Sequence, residues 1–362
     1  MKIRALGCCL VLVCLFFAVS CGEEEQKLSL DEVGTESAPP GKDYIYVAVG
    51  NACHIIDGDT DKVIKTISHA EFILGAAFSP DKTRYYMSSG RQILAIDTKT
   101  MELVDTYKLS TDLSKVMISG FCVTEDRKTM YISCEIVKKK QNIPRLNLLP
   151  PQLVVYDLET KKVIKNFEIP HMINQVMNIR NDKDHLLLTG YDIYKINVKT
   201  GKLEVILNML TPQGDEYPKN YLAGFHGISP GDHGISVFEY ITGEGMDLSV
   251  GYLFLDRNKG RAWTLPGKDI WFAYSNILSP DKKHIFSVMD ELIKIDAKTG
   301  KTISFVETET GTNYSVVLSS DGKKVYIGPA GPDISVYDAE NLNLIKVIPL
   351  DADGAIMHRL TL

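Results

Sequence analysis

The stretch FILGAAFSPDKTRYYMSSGRQILAIDTKTMELVDTYKL, residues 72–109, decides the fold. It reads as four short strands: Phe72 to Phe78, Tyr85 to Ser88, Ile93 to Ile96 and Leu103 to Leu109. Ser79-Pro80-Asp81-Lys82 turns the first pair and Asp97-Thr98-Lys99-Thr100 the last. Proline presets the dihedral of one turn, and in the other the aspartate carboxylate can accept hydrogen bonds from backbone N–H groups further along.

Both turns recur. The second returns at Ile56-Asp57, Tyr156-Asp157, Ile196-Asn197, Leu255-Asp256, Ile295-Asp296 and Tyr337-Asp338. The first returns at Thr124-Glu125-Asp126, Arg180-Asn181-Asp182, Ser229-Pro230-Gly231, Ser279-Pro280-Asp281 and Ser319-Ser320-Asp321-Gly322. Each unit is one supersecondary element that cannot bury its own faces, and four short antiparallel strands at a period of about 40 to 45 residues mark a propeller blade. The sequence therefore predicts an all-β chain: a seven-bladed β-propeller of four-stranded antiparallel blades over residues 43–362. The first unit lacks an opening strand, and the segment from Ala355 to Leu362 is spare. The ring is expected to be closed by this C-terminal strand, which leaves no open sheet edge.

Successive turn acids or amides stand 40, 60, 40, 59, 40 and 42 residues apart, so two intervals carry extra sequence. It falls at Glu135 to Gln152 and Tyr240 to Val250, between second and third strands, and at Asn208 to Leu222, between a fourth strand and the next first. In an antiparallel blade both connection types lie at one end, and the Ser-Pro-Asp and Asp-Thr-Lys turns at the other. One decorated face is expected to carry every insertion, and long loops on a rigid scaffold are where binding residues gather. Tyr217, Tyr221, Phe225, His226, Trp271, Phe272, Tyr274 and Tyr314 are the candidates for a partner or cavity face, against the alternative that such aromatics pack between blades.

Catalytic patterns are sparse. Gly227-Ile228-Ser229-Pro230-Gly231 matches a hydrolase nucleophile elbow, but Ser229 occupies the turn that Ser79 and Ser279 occupy, not a strand-to-helix elbow. His226 and His233 have no cysteine or carboxylate at metal-ligand spacing, and haem-attachment, HExxH, P-loop and GxGxxG patterns are not found. No catalytic residue and no metal ligand is assigned.

Composition is that of an ordinary globular protein, 44% hydrophobic and 24% charged over 362 residues. A net charge of -6 gives nucleic acid no basic footprint. Residues 1–20 read as a signal peptide ending Ala18-Val19-Ser20-Cys21, which resembles a bacterial lipobox with Cys21 as the lipidation site. Residues 21–42 read as an acidic flexible tether. The expectation is a periplasmic lipoprotein held to the membrane through its lipid alone. Cys53, Cys122 and Cys134 remain in the body, an odd number that argues against a disulfide framework. If Thr124 and Thr129 close their hairpin, Cys122 faces Tyr131 and Cys134 points to the opposite face.

Tyr44-Ile45-Tyr46-Val47-Ala48-Val49-Gly50-Asn51 and the Asp-x-x-Thr-Gly-Lys turns resemble the YVTN family of bacterial propellers. More closely, residues 43–362 resemble the β subunit of quinohaemoprotein amine dehydrogenase. That likeness rests on Leu153-Val154-Val155-Tyr156-Asp157-Leu158-Glu159-Thr160, Asn313-Tyr314-Ser315-Val316 and Ile334-Ser335-Val336-Tyr337-Asp338-Ala339-Glu340. The resemblance implies a periplasmic complex that oxidatively deaminates primary amines. In it a γ subunit carries cysteine tryptophylquinone, a dihaem α subunit carries c-type haem, and the propeller scaffolds them and helps to wall the substrate cavity, with no cofactor of its own. The other reading is a stand-alone YVTN-type surface lipoprotein that binds proteins.

Overall fold

A computed structural model describes residues 30, 41–69, 72–140, 143–210, 220–223, 233–243, 248–309, 311–352 and 356–362. The signal segment, Cys21, Tyr217, Phe225, His226 and Ser229 lie outside the described residues. Among those described, no helix is long and apolar enough to cross a membrane.

The strands form seven antiparallel sheets, as the turn repeat predicts. The first sheet orders β29 (Ile356–Thr361), β1 (Asp43–Ala48), β2 (Ala52–Asp57) and β3 (Lys62–Ser68). Its innermost strand is the end of the chain: Tyr44 pairs with Leu360 and Ala48 with Ile356. The second blade runs β4 (Gly75–Phe78), β5 (Arg84–Ser88), β6 (Gln92–Asp97) and β7 (Glu102–Lys108). The third runs β8 (Ser114–Val123), β9 (Thr129–Lys139), a short β10 (Leu146–Leu148), β11 (Gln152–Asp157) and β12 (Lys162–Glu168). β13 (Gln175–Ile179), β14 (Asp182–Thr189), β15 (Ile193–Asn197) and β16 (Leu203–Leu207) make the fourth. β17 (Tyr221–Ala223), β18 (Ile235–Thr242), β19 (Ser249–Asp256) and β20 (Arg261–Pro266) make the fifth. The sixth is β21 (Ser275–Leu278), β22 (His284–Val288), β23 (Glu291–Asp296) and β24 (Thr302–Glu307). The seventh is β25 (Asn313–Leu318), β26 (Lys324–Pro329), β27 (Asp333–Asp338) and β28 (Leu344–Pro349).

Two local expectations are corrected. β4 begins at Gly75, not Phe72, because Phe72 and Leu74 hang exposed beyond the paired residues. Part of the Glu135 to Gln152 insertion is strand: β8 and β9 lengthen together, with Ser114 opposite Lys138, so the added backbone groups find partners in an extended hairpin. Elsewhere the turns behave as read. The carboxylate or amide oxygen of Asp57, Asp97, Asp157, Asn197, Asp256, Asp296 and Asp338 accepts backbone N–H bonds from two or three residues on. Hydrogen bonds from the threonine three residues on, above all, hold Asp97, Asp157 and Asp296 below the usual carboxylate range. Ser79, Thr124, Ser279 and Ser319 each hydrogen-bond the acid two residues on.

The core is distributed. Seven apolar clusters each fill the wedge between two neighbouring blades. Alternation along β9 shows how: Met130, Ile132 and Cys134 enter the wedge with the second blade, while Tyr131 enters the wedge with the fourth. Cys122 does pair with Tyr131, and Cys53, Cys122 and Cys134 are buried free thiols. Burial pushes the Cys134 thiol up to about 12. Leu30 packs against the wedge between the fifth and sixth blades.

Polar staples join the turn of one blade to its predecessor. Lys161 binds Asp105 at 2.5 Å, and Lys294 binds Glu340 at 3.0 Å. Lys346 Nζ donates to the Asp61 carbonyl at 2.6 Å. Ion pairs with an exposed partner contribute about 0–1 kcal/mol each, whereas each buried large apolar side chain contributes about 1.5–3 kcal/mol, so the wedges dominate the ring's stability.

Candidate docking face

The two ends of the ring differ in chemistry. At the plain end lie the short Asp and Ser-Pro-Asp turns, and the one exposed large apolar residue described there is Leu362. At the other end the chain leaves β9 through Ile143 and β10, leaves β16 for β17, and joins β18 to β19 across Gly243 and Leu248. The described ends of all three insertions therefore sit at that end. The same end exposes Phe72, Met117, Leu146, Leu148, Met172 and Tyr221, with Leu146 at 68% and Phe72 at 65%. Apart from Leu362, the exposed apolar residues not at this end lie on outer strands or beside them at the perimeter. Single exposed apolar residues are ordinary, but their segregation onto one end marks an interaction surface.

The candidate aromatics divide on inspection. Tyr221 is exposed on β17 and Phe272 is exposed before β21. Tyr274 and Tyr314 meet across the sixth and seventh blades with ring centroids 5.7 Å apart, at the entries to β21 and β25. Tyr314 sits where the β25–β26 pairing skips a residue, a bulge that re-aims a side chain. Trp271 is placed at the perimeter: its indole N–H donates to Thr302 Oγ1 at 2.9 Å and its ring lies 4.7 Å from that of Phe305 on β24. His233 is 2% exposed in the core; its Nδ1 accepts the Ile235 N–H, which leaves Nε2 to donate to the Leu278 carbonyl. Burial lowers it to about 4, so it is neutral.

One residue at this end was not legible in the sequence. Register aligns Ala48, Ser88, Ser133, Thr189, Glu239, Val288 and Gly328, each four places after the residue opposite its blade's turn acid or amide. Six are small or apolar, and the fifth blade alone carries an ionisable group. Ser133 Oγ donates to the Ile173 carbonyl at 3.0 Å, latching onto the segment that enters the next blade. Glu239 does the same in reverse, its Oε1 accepting the Ala273 N–H at 3.0 Å. Its side chain is fully buried and Oε2 has no hydrogen-bond partner. Burial, partly offset by the Ala273 N–H, pushes the carboxyl up to about 8, so it is mostly protonated at neutral pH.

A small, shallow cleft opens at the same end between the first strands of the second, third and fourth blades. Leu74, Ser119, Gly120, Phe121, Asn174 and Gln175 line it. A β-bulge between Ile118 and Gly120 turns Ser119 out of the ladder there. Among the described residues no cluster of three or more His, Cys, Asp or Glu could hold a metal ion.

No protein-family description and no curated protein matches the chain. Solved structures do. The dihydro-heme d1 dehydrogenase NirN in complex with DHE is similar at TM-score 0.53 and 13% identity, over 90% of this chain and 76% of that one. Kuenenia stuttgartiensis hydrazine synthase is similar at 0.51 and 16%, over 84% and 91%. A functionally unknown protein from Desulfotomaculum acetoxidans is similar at 0.59 and 13%, over 88% and 98%. At these identities the likeness shows the fold. It is a β-propeller.

Proposed function

We propose that this chain is a noncatalytic β-propeller subunit of a periplasmic quinohaemoprotein amine dehydrogenase complex, scaffolding the quinone-bearing γ subunit and helping to wall the substrate cavity. The observation that carries the docking role is the segregation of insertions and exposed apolar side chains onto one end of the ring, opposite a plain end of short polar turns. An interface core needs such apolar anchors. Two of the similar propellers are named for a haem-linked dehydrogenase and a hydrazine synthase, which is in keeping with a place in redox chemistry. Cysteine tryptophylquinone and c-type haem belong to the partner subunits in this reading, and Cys21 holds the subunit to the membrane. Affinity purification from native membranes tests it: a haem-staining and a small quinone-staining protein should accompany the propeller.

The closed ring, with an apolar wedge between every pair of blades, also favours a second reading, a stand-alone surface lipoprotein that binds proteins. A single band from the same purification, stable and free of haem, selects that one.

A further inference from the structure

The extra length of β8 and β9 does more than fill an insertion. With β10 it builds a tongue at the decorated end, in which β8 and β10 flank β9. Lys115 pairs with Val137 and Val137 with Leu148, while Lys139 pairs with Leu146. Residues paired across strands share a face, and faces alternate along each strand, so Lys115, Met117, Lys139, Leu146 and Leu148 lie on one face of the tongue. The opposite face sends Val116 into the wedge with the second blade. Val116 is accordingly 5% exposed, whereas Met117, Leu146 and Leu148 are 60%, 68% and 62% exposed.

Among the described residues β10 pairs with β9 and with no other strand. The Leu149 N–H donates to the Ile136 carbonyl at 2.9 Å and the Lys140 N–H to the Arg145 carbonyl at 3.4 Å, which turns the backbone of Arg145, Asn147 and Leu149 towards β9. The N–H and C=O groups of Leu146 and Leu148 therefore point away from the sheet, along an edge that a further strand can join. Charge gathers beside this edge. Lys115, Lys138, Lys139, Lys140 and Arg145 are all exposed, and none is in an ion pair among the described residues. Asp112 and Glu135 are the acids of residues 110–118 and 135–149, so the tongue is cationic in a chain whose net charge is -6.

We infer that β10 takes an extended acidic segment of the partner protein as a further strand, its carboxylates answering Lys138, Lys139 and Arg145. In strand addition the backbone bonds give affinity and the side chains give specificity. An added strand stands about 10 Å from β9, two strand spacings, which a lysine side chain can reach across. A second copy of this chain is the wrong occupant: β10 on β10 sets Arg145 and the β9 lysines of both copies against each other, and like charges across strands destabilise the pair. A bilayer supplies anionic headgroups but no backbone partner for the free edge. The inference rests on the docking reading above and names the chemistry of the partner that meets that face.

Fluorescence anisotropy of a labelled, end-blocked peptide alternating valine and glutamate, added to the purified chain, tests this beside a valine and lysine counterpart. The glutamate peptide should bind, more weakly as salt rises, and the lysine peptide should not. Lys138→Glu combined with Lys139→Glu should weaken binding about tenfold or more. Leu148→Pro deletes an outward N–H and keeps the inward bonds of its neighbours, and should weaken binding severalfold while the chain melts as the parent does. Lys298→Glu, in an exposed turn of the plain end, should leave it unchanged. No binding of the glutamate peptide at millimolar concentration overturns the inference, as does equal binding of both peptides or equal weakening by Lys298→Glu. Binding to phosphatidylglycerol vesicles without binding of the peptide overturns it too, in favour of a lipid surface. Partners that co-purify from native membranes with a chain that binds no peptide keep the docking reading and remove the added strand; peptide binding with no co-purifying partner does the reverse.

Discussion

Glu239 Oε1 accepts the Ala273 N–H at 3.0 Å and so ties the second strand of the fifth blade to the segment that enters the sixth. The bond is made by a group that is costly to ionise where it sits. A carboxyl whose folded value is raised from 4.5 to about 8 binds more protons in the folded state than in the unfolded one across that window. Its contribution is therefore fully present below about pH 4.5 and declines as pH rises towards 8. Glu239→Gln should gain stability relative to the parent through that window, by on the order of 5 kcal/mol in total. Chemical denaturation at pH 5, 6.5 and 8 reads the difference; a gap that does not change with pH removes the buried acid from the account.

His233 and His358 act in the opposite sense. Burial lowers both from 6.5 to about 4, and the His358 Nδ1 lies 3.1 Å from the Tyr85 hydroxyl. Their stabilising contributions are whole above about pH 6.5 and are lost as pH falls towards 4, on the order of 3 kcal/mol apiece. Between pH 4.5 and 6.5 the Glu239 slope opposes theirs. Acid unfolding should accordingly be steeper in Glu239→Gln than in the parent, and shallower in His358→Gln.

Closure rests on β29. Met357 and Leu360 are fully buried, Met357 in the wedge with the seventh blade and Leu360 in the wedge with the second. Leu360→Ala should cost about 2–5 kcal/mol, as large-to-small core changes do. Truncation after residue 355 should cost more, because it also exposes the edge of β1 to pairing with other chains. Denaturant midpoints and light scattering measure the two effects, and a truncated chain that stays monomeric and as stable as the parent speaks against closure.

Met117→Lys and Leu146→Lys should abolish co-purification of partner proteins while shifting the melting temperature by no more than a degree or two, since both side chains are exposed. Lys298→Glu, on the plain end, should leave co-purification intact. Equal loss with all three variants removes the face distinction.

Much of the fold could be read from local chemistry. Turn acids and serines are decided within six residues, so the Asp97 and Ser79 turns, the Thr124–Thr129 hairpin and the pairing of Cys122 with Tyr131 follow from the chain alone. The spare tail pointed to β29 because a missing strand and an extra strand must meet. The limits were equally physical. Apolarity placed Phe72 in a strand, but apolarity does not distinguish a core residue from one exposed at an interaction face. Trp271 precedes an inner strand, yet its indole turns outward to Thr302. Glu239 escaped notice because alternation assigns a side chain to a face without saying what another blade brings against it.

The most direct measurement is hydrogen exchange on the complex purified from native membranes, compared with the isolated chain. The account predicts slowed exchange in residues 113–117, 143–148, 170–174 and 189–192, at the decorated end, and unchanged exchange in the turns at 80–84, 97–101 and 280–284. Protection confined to those plain-end turns, or none at either end, contradicts it.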